Sequence, residues 1–528
     1  MVERLTEIIC FHRKDCIDLA SRTKLATKNV FATLIVSILV FPLQFINRYY
    51  MVHYLGITYL GITSLFANIL SVLSLADLGI GTAIVFLMYK PLAEHDQKKI
   101  TILMRYYRAI YRTIAIVIFI LGLIIIPFLG FFLHSSINYP NVYLLFIIYL
   151  MGTVSSYLFS YNQSLLFADQ RNHIYSWFNL VVCYIMIILQ IITVKLFRSP
   201  LLYATMYVFT GFITNILISI YVNRHYHLNY RESNEKLSKE EFHELFSNVV
   251  GNMFLRISGV VVTGTDSMLL STFTNVIQVG YYANYLTITN VIQQLMTKVV
   301  GAVTGSIGNY SVNQNRKEGE KLFYNLQFLN FLLLNLATLG ILFASKDVIS
   351  LWLGPTYILS TLNTFLIAFS FYLINYQMLG WNFVAVYGLA KYMKLVSVSE
   401  MIINFLASIL FLKYFHLGIT GILLGTICST LLTVAWQDPF VIFRHGFRTS
   451  LGKYIRQYLR FLIILILEII IIDSTVRLLE KNIVNLWYHL LVVILLILFT
   501  GIVLPLIFYI NSDEEKFLFS LIKRIIGR

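Results

Sequence analysis

NVVGNMFLRISGVVVTGTDSMLLSTF (residues 248–273) and VGYYANYLTITNVIQQLMTKVVGAVTGSIGN (279–309) decide how this chain is read. A hydrocarbon core ~30 Å thick takes about 20 apolar residues as helix, and both stretches are long enough. Each also holds a cation among apolar neighbours, Arg256 in the first and Lys298 in the second. An ionised side chain at mid-bilayer costs ~3 kcal/mol or more unless a cavity or partner receives it, so such residues mark a pathway. In the first stretch Asn252, Arg256, Gly259, Thr263 and Asp266 follow one another at helical spacing and share a face. In the second, Asn284, Thr287, Asn290, Gln294, Lys298, Gly301 and Gly305 do the same. A polar stripe of this length faces water or protein rather than lipid. Taken singly, the small and amide residues also fit close helix packing and interhelical hydrogen bonds, and the cations also fit snorkelling or pairing with an acid.

The rest of the 528-residue chain has the same character: 58% hydrophobic, 12% charged, with a mean hydropathy of +0.76. A soluble core cannot absorb that composition. The spacing predicts an all-α polytopic membrane protein with about fourteen spans, near 29–46, 60–89, 110–133, 142–168, 174–194, 201–222, 248–273, 279–309, 322–343, 358–388, 393–412, 417–437, 454–472 and 486–510. With a cytoplasmic N-terminus, 31 of the 40 Lys and Arg fall in inner segments and 7 in outer ones, Arg48 among the latter. This is the positive-inside pattern, and it puts both termini in the cytoplasm. The net charge of +15 is thus a membrane signature, and no nucleic-acid partner is expected.

The expected organisation is a tail (1–28), a first lobe (29–222), a linker (223–247), a second lobe (248–438), two further helices (454–510) and an amphipathic tail (511–528). Ser238–Glu241 and Ser512–Glu515 have capping-box spacing, the second ahead of a basic amphipathic helix suited to an anionic inner leaflet. A shift of 219 residues lays 60–70 on 279–289, Gly61 over Gly280 and Phe66 over Tyr285, as a protein built from two six-helix repeats requires.

Four carboxylates lie in apolar runs or near their ends. Asp77 and Asp266 fit pairing with a cation, binding of a proton or sodium ion, or a structural role, whereas Glu400 and Glu468 read as snorkelling near helix ends. Cys10, Cys16, Cys183 and Cys428 form no CxxC pair, and no metal ligand set or cofactor motif is found. Gly446–Lys453 misses the phosphate-loop spacing by one residue and has Tyr454 where a Ser or Thr belongs. His243–Glu244 lacks the second His of a zinc-protease helix. Catalysis is not expected, and the short outer loops speak against a membrane glycosyltransferase or polysaccharide polymerase.

GITYLGITSLFANILSVLSLADLGIGTAIV (56–85) resembles the second helix of bacterial polysaccharide repeat-unit flippases, the Wzx-like branch of the multidrug/oligosaccharidyl-lipid/polysaccharide exporter superfamily, and GTDSMLLSTFTNVIQVGYYANYLTITNVI (264–292) resembles their seventh and eighth helices. The resemblance implies two six-helix lobes around a central cavity, alternating access, and a cargo of undecaprenyl-pyrophosphate-linked oligosaccharide carried across the bacterial cytoplasmic membrane. Membrane lipids are partners on this reading, with polysaccharide polymerase and glycosyltransferases as further candidates. Arg256 and Lys298 would hold the diphosphate, while Asn252, Asn284, Asn290 and Gln294 would bond sugar hydroxyls and Tyr281, Tyr282 and Tyr285 would stack on sugar rings. Related lipid II flippases carry arginines in their first helices, whereas 29–46 holds no charge, which speaks against a peptidoglycan precursor. A cation-coupled drug exporter of the same fold is the alternative, with Asp77 or Asp266 as ion site.

Overall fold

A computed structural model describes residues 13–77, 80–226, 228, 257–262, 264–302, 307, 316–480 and 485–526. No strand occurs among them, and ten helical stretches are long and apolar enough to cross a membrane. Wherever the expected spans are described, they fall on helix. Ser238–Glu241, Asn252 and Arg256 lie outside the described residues. The chain divides into two compact units, Met1–Val260 and Val261–Arg528.

In the first unit, helix α1 (Arg13–Leu73) is broken at Gly56, with φ 83° and ψ 167°. Only glycine takes that backbone without steric cost, so the junction of the first two spans is written into one residue. After a 3₁₀ turn at Ser74–Asp77 come α2 (Ile80–Ala93) and α3 (Gln97–Ile125). Helix α3 starts well before the expected 110 because the Asp96 carboxylate caps it, accepting the Lys99 N–H at 3.0 Å. Its Ile100, Leu103, Tyr107, Tyr111, Ile114 and Ile118 are buried at spacings of three and four, while Ile116, Ile120 and Ile124 face outward. Among the described residues five helices follow up to Tyr226: α4 (Leu129–Leu133), α5 (Val142–Phe159), α6 (Tyr161–Ala168), α7 (Asn172–Phe197) and α8 (Pro200–Tyr226).

Helices α1 and α7 run side by side in the same direction. Asn29 Nδ2 donates to the Gln170 carbonyl at 2.6 Å, Tyr184 donates to the Leu39 carbonyl at 3.0 Å, and Asn47 Nδ2 donates to Gln190 Oε1 at 2.7 Å. The partners climb both helices together, which antiparallel neighbours cannot do. Helices one and five of an up-and-down bundle have this relation.

The boundary between the units falls within α9 (Ile257–Phe273). The second unit continues through α10 (Val276–Ala302), then α11 (Arg316–Leu339), which passes by a π turn into α12 (Ser345–Trp352). Helices α13 (Thr361–Tyr376), α14 (Met378–Val386), α15 (Ala390–Lys413), α16 (Ile419–Leu432) and α17 (Val434–Val441) follow. The last elements are α18 (Gly452–Glu480), α19 (Leu486–Phe508) and α20 (Asp513–Ile526).

The 219-residue repeat is visible in the backbone. It lays Gly56 on Asn275, and each stands at a helix junction; Asn275 Oδ1 accepts the Gln278 N–H at 2.9 Å as α10 begins. Leu60, Gly61, Thr63, Leu65, Phe66 and Leu70 are buried, and so are Val279, Gly280, Tyr282, Asn284, Tyr285 and Thr289 at the corresponding positions.

Helices α18 and α19 pack on α11 and α12. Phe331 and Phe461 stack with ring centroids 4.0 Å apart, and His489 Nδ1 lies 2.6 Å from Asp347 Oδ2 with both side chains largely buried. Helix α20 is fastened to α11 by Lys321 and Asp513 at 3.1 Å. The Lys321 ammonium holds the exposed Asp513 carboxyl below its usual range. The expected cap at Ser512 forms: its Oγ accepts the Glu515 N–H at 3.1 Å, while the Glu515 carboxylate takes the N–H of Asn511 rather than that of Ser512.

Two expectations about acids are corrected. Glu468 lies in the body of α18, fully buried beside Asn335, and Glu400 lies ten residues into α15, half-buried and electrostatically coupled to Asp438. Neither is placed to snorkel. Asp438 is itself fully buried and accepts the Trp381 Nε1–H at 2.9 Å.

Candidate substrate-binding site

Helix α10 carries most of the polar stripe, and its environment is graded. At ~100° per residue, Asn284, Lys298, Thr287, Gln294, Gly301 and Asn290 spread over an arc of about 120°, with Asn284 at one edge and Asn290 at the other. Burial follows that order. Asn284 is fully buried, Lys298 half-buried, and Gln294 and Asn290 exposed. Fourteen residues separate Asn284 from Lys298, which is ~21 Å of helix at 1.5 Å per residue. The stripe thus presents an amide end and a cationic end too far apart for one small group.

Asn284 stands out energetically. Neither its Nδ2 nor its Oδ1 has a hydrogen-bond partner, although the residue is 0% exposed. A buried unsatisfied amide costs ~1–3 kcal/mol. The Thr287 hydroxyl, by contrast, is satisfied by the Ala283 carbonyl at 2.9 Å.

Asp266 on α9 is buried, with an Oδ1 that has no partner, and it is electrostatically coupled to Tyr282 on α10. Asp77 ends the 3₁₀ turn that opens into α2, and its side chain lies outside the described residues. Of the three tyrosines expected to stack on sugars, Tyr282 and Tyr285 are packed into the interior, and the Tyr285 hydroxyl accepts the Leu359 N–H at 3.0 Å. Tyr281 is only partly buried and lies against Tyr357 with centroids 5.9 Å apart.

Helix α1 also corrects the reading of Arg48. Because the helix runs on to Gly56, Arg48 lies inside it, electrostatically coupled to Tyr203, Tyr207 and Tyr149 rather than in an outer loop. The backbone thus carries Arg48 within the first helix, beyond the uncharged stretch 29–46.

Sequence reading missed a second polar feature. Within the first unit, the 3₁₀ turn and segments of α3, α5, α6, α7 and α8 line an open cavity of about 580 Å³. Its signal was present: Thr153, Ser156, Tyr157, Ser160 and Ser164 recur at spacings of three and four along α5 and α6, a stripe without charge that hydropathy passes over. Gly81 borders the same region. A Cβ on Gly81 would lie 2.9 Å from Tyr107 Oη and 3.0 Å from Tyr111 Oη, so glycine is what lets α3 approach α2 there.

Solved structures share the fold. A lipid II flippase, MurJ, in an inward closed conformation matches with a TM-score of 0.63 at 13% identity, over 95% of this chain and 99% of that one. An inward-facing multidrug resistance MATE family transporter of the MOP superfamily matches at 0.60 and 12% identity, over 78% and 98%. A point mutant of the Vibrio cholerae MATE transporter VcmN matches at 0.57 and 14% identity, over 81% and 99%. No curated protein matches the chain. Residues 26–304, more than half the chain and including Arg256 and all of α10, match the polysaccharide biosynthesis protein family, and the chain belongs to that family.

Proposed function

We propose that this protein is a flippase that moves undecaprenyl-pyrophosphate-linked oligosaccharide repeat units from the inner to the outer leaflet of the bacterial cytoplasmic membrane, by alternating access and with both termini cytoplasmic, for capsule, exopolysaccharide or O-antigen assembly. The observation that carries the reading is the family match over 26–304, which takes in Asn252, Arg256 and the cationic and amide residues of α10. A diphosphate concentrates negative charge, and in a partly dry site a cation attracts it far more strongly than in water. Lys298, with Arg256, takes the head group on this reading; Gln294 and Asn290, which are exposed, and Asn252 take sugar hydroxyls. Asn284, with a buried amide that lacks partners, is matched to a ligand group that enters during transport.

Deleting the gene in its host and locating the lipid-linked repeat unit tests the proposal. Accumulation on the inner leaflet is the expected result; loss of the linked sugar itself indicates an enzyme instead. A second reading, cation-coupled drug export, draws on Asp266, whose buried carboxylate has an unpartnered oxygen. Drug efflux that depends on Asp266, with normal repeat-unit crossing, would select it.

A further inference from the structure

The described lining of the first unit's cavity has one chemistry. Among the described residues that line it none carries a formal charge; Ser, Thr, Tyr, Asn and Gln dominate. At about 580 Å³ it lies within the ~300–1,000 Å³ range of small-molecule sites. A hydroxyl has one proton to give, and four of the lining hydroxyls have already given theirs. Ser74 donates to the Leu70 carbonyl at 2.8 Å, Thr153 to Tyr149 at 3.2 Å, Ser156 to Thr153 at 2.7 Å and Thr214 to Thr210 at 2.9 Å. What these groups retain are oxygen lone pairs. Asn215 likewise spends an amide proton on the Ser156 carbonyl at 3.5 Å and keeps its Oδ1 as an acceptor.

An uncharged, acceptor-rich wall suits an uncharged ligand rich in O–H donors. Among the described lining residues a pyrophosphate finds no cation and a drug cation no carboxylate, and an apolar molecule would strip water from many oxygens without replacing their bonds. Sugar rings meet both requirements, and the flat faces of Tyr111, Tyr157 and Tyr175 in the same lining suit their C–H surfaces. We infer that this cavity is a saccharide subsite that selects the glycan part of the cargo. The inference rests on the transport reading for the source of the glycan and on the lining for its chemistry.

Gly211 supplies the test. It lines the cavity from α8, and a Cβ built on it meets nothing within 4 Å. Leucine there adds apolar bulk to the lining, and leucine is a better helix former than glycine by several tenths of a kcal/mol. Gly211→Leu in the full-length protein is expected to keep wild-type abundance and melting behaviour and to slow crossing of the repeat unit at least tenfold, while Gly211→Ala stays near wild type. In lipid vesicles, Gly211→Leu is expected to bind undecaprenyl pyrophosphate without sugar as the wild type does and to lose the added affinity for the glycosylated form.

Wild-type crossing by Gly211→Leu overturns the subsite, as does equal loss of binding for both lipids. Should that variant fold poorly, Ser156→Ala with Thr214→Val removes two acceptors at nearly constant volume; wild-type crossing by this pair overturns the subsite equally. The two readings separate cleanly. If gene deletion leaves crossing intact, transport fails; if deletion blocks crossing and Gly211→Leu restores it fully, only the subsite fails.

Discussion

Asn284→Leu separates stability from function at one residue. Asn284 is fully buried with both amide atoms unpaired, so the native fold carries a desolvation cost of ~1–3 kcal/mol there. The internal repeat shows what fits such a position, because its counterpart Leu65 is also fully buried. Leucine adds apolar burial and leaves no polar atom unsatisfied, so the variant is expected to be more stable by ~1–3 kcal/mol. A binding role predicts the opposite for transport, since an amide that meets sugar or phosphate contributes about 1.4 kcal/mol or more, a tenfold slowing. Unfolding of the purified protein in graded SDS gives the first quantity, and crossing of the lipid-linked repeat unit in cells gives the second. A variant that is stabilised and still transports normally refutes the binding role. A destabilised variant refutes the reasoning from unpaired atoms, because it means the amide has partners in the working protein.

Three more outcomes follow from the same geometry. Lys298→Gln and Arg256→Gln are expected to impair repeat-unit crossing without lowering protein level, and normal crossing by the double variant removes the proposed head-group site. The buried Asp347–His489 contact is expected to give a coupling of ~1–3 kcal/mol in a double-mutant cycle of Asp347→Ala and His489→Ala, measured by SDS unfolding; a coupling near zero would mean the two side chains do not interact. Gly56→Ala is expected to lose ~1–2 kcal/mol because φ 83° strains any L-residue, and since no atom lies within 4 Å of the new Cβ the loss is purely backbone; unchanged stability would show that the junction is not held in that conformation.

The helical class, the approximate spans and the repeat were legible in the sequence because apolar length and helical spacing are local properties. The junction at Gly56 and its counterpart Asn275 were recoverable from the 219-residue shift. Helix ends were less so: Arg48 looked like the outer end of a span because polar Asn47 and Arg48 interrupt hydropathy, whereas the backbone continues to the next residue able to break it. The same bias assigned Glu400 and Glu468 to helix ends. Hydropathy registers charge and overlooks neutral oxygen, which is why the hydroxyl-lined cavity went unseen while Lys298 drew attention. The burial gradient across α10 was also hidden, because residues 120° apart on one stripe differ in their neighbours and not in their spacing.

The attachment of α18, α19 and α20 to α11 and α12, through stacked rings, a buried acid–imidazole pair and a surface ion pair, has a practical consequence. A fluorophore or fusion at the C-terminal end of α20 is mechanically part of the second unit. If transport involves one half rocking against the other, such a label reports the trajectory of that half directly, without any mutation near the cargo.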